Sequence, residues 1–212
     1  MRDWVAWHAA YDDPQSPLSA RLRAVRGHLA DALDAAPPGQ VRLVSLCAGQ
    51  GHDVLGVLPG HHRGPQASAV LVEYDPQNAA LARRGAKEAG LAQVEVRQAD
   101  AAHVANYADA LPADVLLLCG IFGNVSDEDI ERTATAAPAL CAPAATVIWT
   151  RHRRAPDLTP RIRGWFQASG FDEVTFDVPD QTPTGVSVGV GRLAVAPPAA
   201  LPEGPLFTFR AG

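Results

Sequence analysis

Short apolar runs that read as strands alternate with segments at helical spacing along most of the chain, and this order constrains the fold more than any single motif. The runs are Val41–Leu46, Ser68–Val72, Val94–Arg97, Asp114–Leu118 and Thr146–Thr150. Together they read as apolar runs more than as alternation, which fits strands buried on both faces. Between them the sequence predicts helices over His52–Leu58, Pro76–Ala89 and 101–109, one from Asp127, and one over Ile162–Ala168. Gly90 and Gly170 stand where a left-handed residue ends a helix. Ser126 is placed to cap the helix that opens with Asp127, Glu128 and Asp129, acids that suit a helix N-terminus. Two last strands, Glu173–Val178 and Val186–Val195, leave no room for a crossover helix and are expected to be antiparallel neighbours. The expected fold is α/β: three layers around a sheet of about seven strands, mostly parallel with an antiparallel C-terminal pair, plus N-terminal helices.

Residues 1–36 read as a helical lid or cap, and 37–212 as the main domain. Pro14 and Pro17 split the first segment. Its second piece carries an apolar stripe of Leu18, Leu22, Val25, Leu29 and Leu33, with Ser16 as cap and Pro17 at the first helical position. Trp4, Trp7, His8 and Tyr11 share one face at helical spacing. That face either packs on the core or closes over a ligand. The formal charge of −5 argues against bulk binding to nucleic acid or anionic membrane. Cys47, Cys119 and Cys141 have no metal or redox spacing, so reduced thiols are expected. No apolar run reaches the roughly 18 residues of a membrane span. The first residues lack the apolar region of a secretion signal. The expectation is a cytoplasmic protein, monomer or homodimer, without a membrane partner.

The first strand runs into Cys47-Ala48-Gly49-Gln50-Gly51 before a helix begins. Glycines there let backbone approach a ligand, and the helix start favours an anion or carboxylate. Two glycines two apart also occur in plain strand-to-helix turns. Glu73, at the end of the second strand, is placed to accept hydrogen bonds from both hydroxyls of a ribose held over that loop. Asp100, after the third strand, is placed to accept from an adenine amine, with the adjacent backbone N–H of Ala101 donating to the ring. The dinucleotide fingerprint G-x-G-x-x-G is not met, because Val54 stands at its third glycine. No Walker motif is present. His61-His62 lies in a Gly/Pro loop with no carboxylate or cysteine cluster nearby in sequence, so no metal is expected. Arg151-His152-Arg153-Arg154, with Arg161 and Arg163 following, is the densest charge run. It is either a solvated loop or a patch for a substrate carboxylate or phosphate.

These segments resemble the class I S-adenosylmethionine-dependent methyltransferases over roughly residues 40–195. VRLVSLCAGQGHDVLGVL resembles their first motif, and AVLVEYDPQNAALARRGAKEAGL their acidic second motif. VEVRQADAA resembles the third, and ADVLLLCGIFGNVSDED the motif after strand four. Gly170-Phe171-Asp172-Glu173-Val174 resembles the family's turn after the last helix. The resemblance implies a Rossmann-like fold and a methyltransferase using S-adenosylmethionine and releasing S-adenosylhomocysteine. It implies that Cys47, Ala48, Gly49, Gln50 and Gly51 cradle the methionine part, Glu73 the ribose, and Tyr74, Asp100 and Ala101 the adenine. Cys119 and Gly120 would pass near the sulfonium. Ser45 replaces the usual acid, for which Asp53 could compensate, and Cys47 replaces a glycine, which requires a negative φ. Trp4, Trp7, Tyr11, Phe122, Asn124, Arg151 and Arg153 are the candidate substrate contacts, and His8, Asn124 and His152 the candidate catalytic groups. The expected acceptor is a small molecule. The alternatives are RNA modification and a non-catalytic protein that binds the same cofactor.

Overall fold

A computed structural model describes residues 11, 13–182 and 184–210. Trp4, Trp7 and His8 lie outside the described residues. In chain order the elements are α1 (Pro17–Ala35), β1 (Val41–Leu46), α2 (His52–Leu55), β2 (Ala67–Glu73), α3 (Pro76–Glu88), β3 (Val94–Gln98), β4 (Ala113–Leu118), α4 (Asp127–Leu140), β5 (Cys141–His152), α5 (Thr159–Ala168), β6 (Phe171–Asp177) and β7 (Val186–Leu193). The seven strands form one sheet in the order β3-β2-β1-β4-β5-β7-β6. Pairing is parallel from β3 through β5. β7 runs antiparallel between β5 and β6. Strand order reverses between β1 and β4, so the crevice for a ligand opens beyond the carboxyl ends of these two strands.

Alternate residues of the central strands feed two cores. Leu43, Leu71, Val115 and Ile148 face one side with Val25, Leu29 and Leu33 of α1 and Ala79 and Ala82 of α3. Val44, Leu46, Leu116, Val147 and Trp149 face the other with Ile130 and Ala134 of α4 and Ile162 and Phe166 of α5. The expected three layers are present. α1 packs on this face of the sheet, with Leu29 and Leu33 fully buried.

Local signals explain most boundaries. Ser16 accepts a hydrogen bond from Ser19 N at 3.0 Å, with Pro17 in the first turn of α1. Asp75 caps α3 by accepting from Gln77 N and Asn78 N, both at 2.9 Å. Ser126 caps α4 by accepting from Asp129 N at 3.1 Å.

Four expectations need correction. The helix over 52–58 stops at Leu55, where the Arg26 guanidinium donates to His52 O and Gly56 N turns to Val54 O instead. The helix over 101–109 is replaced by two 3-10 turns, Val104–Asn106 and Ala108–Ala110. There Asp100 accepts from Ala102 N, and Asn106 donates to Asp100 O, so side chains take bonds a helix would need. β5 starts at Cys141, five residues before the expected Thr146, with Ala144 at φ 59 absorbing an irregularity in its pairing with β4. The loop after Gly60 is not simply a surface loop. Arg63 is buried and donates to the carbonyls of Leu33, Ala36, Pro37 and Gly39, closing the C-terminal end of α1.

Candidate functional site

The site begins where β1 ends. Ala48 N donates to Val72 O at 3.0 Å, so the loop leaves β1 clamped to β2. Cys47, Gly49 and Gly51 all have positive φ, at 55, 57 and 71°. The condition of a negative φ at Cys47 is thus not met. A left-handed non-glycine residue costs roughly 1–2 kcal/mol, strain concentrated in this loop. A side chain at Gly51 would press on Leu71 at 2.9 Å. Gln50 is tied by its amide to buried Asn78 of α3 at 3.2 Å, a partner the sequence did not reveal.

Glu73 couples this loop to the end of β2. Its Oε2 accepts from Gly49 N at 2.7 Å and its Oε1 from Asp75 N at 2.8 Å. Each carboxylate oxygen has two acceptor directions, so both keep one for a pair of vicinal hydroxyls. Burial, at 9% exposure, pushes its carboxyl upward, and the two backbone N–H groups pull it back. Tyr74, next in the chain, stands 75% exposed at the rim of this position. Asp100 holds Ala102 N at 2.9 Å through Oδ1, with His103 3.8 Å from Oδ2. Ala101 lies buried against the core below it, and Tyr107 donates to Ala101 O at 3.3 Å.

Across the loop from Glu73, a second group of residues forms around Asp53. Its Oδ1 accepts from Val54 N at 2.8 Å. Burial raises its carboxyl, while that backbone bond and the charges of Arg21 and Arg26 oppose the rise. Asp53 also acts electrostatically on Tyr11 and on Cys119, whose thiol burial pushes up to about 12. Tyr11 accepts a hydrogen bond from Arg21 and meets the His52 ring edge-on at 5.1 Å. Tyr11, Arg21, Asp53 and Cys119 thus converge between the glycine loop and the end of β4. Arg21 was missed from sequence, where it reads as one of several arginines on α1.

Beyond β4, Gly120 is pinned at both backbone groups. Its N–H donates to Thr150 Oγ1 at 3.0 Å, and its carbonyl accepts from Asn124 Nδ2 at 2.8 Å. Gly120 has φ 81°, and a side chain there would meet nothing, so space is open above it. Phe122 does not line this space. Its ring is fully buried among Trp149 and Phe166, and only its carbonyl reaches the site, where it accepts from Arg151. His152 borders the same loop, 3.6 Å from the position a side chain at Gly123 would take. Burial, then the charges of Arg151 and Arg154, hold its imidazole below the ordinary 6.5. Arg153 faces Asp157 at 3.4 Å. The C-terminal segment closes the assembly: Leu206 N donates to Ala102 O and Arg210 N to Asn124 O.

His61 and His62 do have a carboxylate beside them, contrary to expectation. Asp34, at the end of α1, lies 3.2 Å from His61 Nε2 and 3.6 Å from His62 Nε2. His61 Nδ1 accepts from Arg63 N at 3.2 Å, which turns its Nε2 toward Asp34. The three side chains each offer one ligand atom, and these atoms lie within 4.8 Å of one another.

No family model matches the chain, and no curated protein matches it by sequence. Solved structures do match. Magnesium protoporphyrin IX methyltransferase from Synechocystis PCC 6803, with bound S-adenosylmethionine, aligns at TM-score 0.67 and 13% identity, over 88% of each chain. An O-methyltransferase family protein from Burkholderia thailandensis aligns at 0.63 and 16% identity, over 81% of this chain and 56% of its own length. Precorrin-6y C5,15-methyltransferase from Geobacter metallireducens aligns at 0.55 and 12% identity, over 78% of this chain and 86% of its own. The chain thus spans little more than half the length of the Burkholderia protein. The likeness establishes the fold, which is the Rossmann-like sheet of class I methyltransferases.

Proposed function

We propose that the chain binds S-adenosylmethionine across the ends of β1, β2, β3 and β4 and methylates a small molecule. The observation that carries this is Glu73: a buried carboxylate fixed by Gly49 N and Asp75 N, with acceptor capacity left for two ribose hydroxyls. Asp100 and Ala101 take the adenine side. Asp53 takes the methionine amine in place of the acid absent at Ser45, and Arg21 with Tyr11 takes the carboxylate. The residues fit the cofactor in order along its length.

When bound, the cofactor supplies an electrophilic methyl on a good leaving group. The protein's work is alignment and exclusion of water, worth up to about 7–11 kcal/mol. Gly120 offers the open approach to the methyl. Asn124 fixes that loop. His152 is held neutral at physiological pH and is the group placed to accept a proton from the acceptor.

Titration of Glu73→Ala with S-adenosylhomocysteine tests the assignment. Losing two charge-assisted hydrogen bonds should weaken binding by about 2–4 kcal/mol, roughly 30- to 1,000-fold. Glu73→Gln, which can still hold Gly49 N, should lose less. Unchanged affinity in both variants would remove Glu73 from the ribose site.

A further inference from the structure

The cations at the carboxyl end of β5 outnumber the acids that meet them. Asp127 serves both Arg161, at 3.2 Å, and Arg210, at 3.8 Å. Asp157 serves Arg153. Among the described residues no carboxylate lies within ion-pair distance of Arg151 or Arg154. Arg151 is 8% exposed, donates to Phe122 O, and leaves its buried Nε without a hydrogen-bond partner. Asp127 and Asp157 act on this guanidinium only from beyond ion-pair distance, so burial still disfavours its charge and an anion beside it would be favourable. The neighbouring side chain, His152, has a buried Nδ1 that likewise lacks a partner. The chain as a whole is negative, so this positive patch runs against the average. It borders the Gly120–Asn124 loop, on the side from which an acceptor must approach the methyl.

We propose that the methyl acceptor carries a carboxylate or phosphate, received at the mouth by Arg153 and Arg154, with Arg151 behind them. His152 then faces the atom to be methylated. The proposal rests on the methyltransferase reading and adds the substrate class. Arg154 is exposed and Arg153 half-buried, so both are reachable from solvent.

The test uses the full chain saturated with S-adenosylhomocysteine, titrated with benzoate, phenyl phosphate and the neutral benzamide. Benzoate or phenyl phosphate should bind at least tenfold more tightly than benzamide, and the better of the two identifies the anion. Arg153→Gln combined with Arg154→Gln should erase that preference and leave affinity for S-adenosylhomocysteine unchanged. Arg83→Gln with Arg84→Gln on α3, remote from the patch, should keep the preference. No preference for the anions, or a preference that survives loss of Arg153 and Arg154 or is lost equally in the α3 variant, overturns the proposal. Displacement of phenyl phosphate by bulk tRNA overturns the small-molecule acceptor in favour of RNA. Failure to bind S-adenosylhomocysteine at all sinks the methyltransferase reading instead, and is seen before any probe is added.

Discussion

Asp53 shows what one buried acid does to both stability and binding. Its carboxyl is raised chiefly by burial, so folding disfavours its charged form. For an acid whose folded pKa lies above its unfolded one, stability falls as pH rises from the unfolded value, near 3.8, through the raised folded value. Asp53→Asn, which can still accept from Val54 N, should therefore be more stable than the parent at pH 7. The two should converge below about pH 3.8 in denaturant unfolding. The same variant should bind S-adenosylmethionine more weakly, having lost the partner of the amine. A variant that is less stable at pH 7 would contradict this account of the carboxyl. At this scale Glu73 and Asp100 are readable from sequence because each follows a strand whose end the apolar run marks. Arg21, Asn78 and Arg63 are not, because their roles come from partners brought near only by folding. Arg63 and Leu33, for instance, are 30 residues apart.

Helices and strands were legible where local chemistry decides them. The caps of α1 and α4 are spelled out by Ser16 and Ser126, and β1 by its largely apolar run. Expected bounds differ from those observed where a distant group intervenes, as at the end of α2, where Arg26 donates to His52 O. The end of α1 depends on such a group. Its last carbonyls are met by the Arg63 guanidinium, which also complements the helix dipole. Arg63→Met keeps much of the side-chain volume but leaves buried carbonyls unpaired, and should destabilise the protein by about 2–4 kcal/mol in urea unfolding. A change under 0.5 kcal/mol would show that water satisfies those carbonyls instead.

The whole molecule ties the two halves of the site together through its C-terminal segment. Leu206 N binds the loop after Asp100, Thr133 of α4 donates to Leu206 O, and Arg210 N binds the Asn124 loop. Phe207 is buried and anchors the strap. Phe207→Ala should cost about 3–5 kcal/mol of stability, and it should weaken S-adenosylhomocysteine binding under conditions where the variant remains folded. Unaltered affinity would confine the strap to a structural role. This arrangement was invisible in sequence, because a Pro-rich tail carries no periodicity to announce what it covers. The alternation of strands and helices, by contrast, made the sheet and its layers legible, since each crossover must return the chain to a parallel neighbour. The insertion of β7 between β5 and β6 follows from pairing that no local pattern specifies.

On the proposed function, one nucleoside-bearing ligand spans the strand ends from Glu73 to Cys119. Calorimetric titration of the unaltered protein with S-adenosylmethionine, S-adenosylhomocysteine and NADH tests it most directly. The two sulfur nucleosides should each bind at a single site, and NADH should not compete with them. Absence of binding by both at millimolar concentration, or tighter binding of NADH, would contradict it.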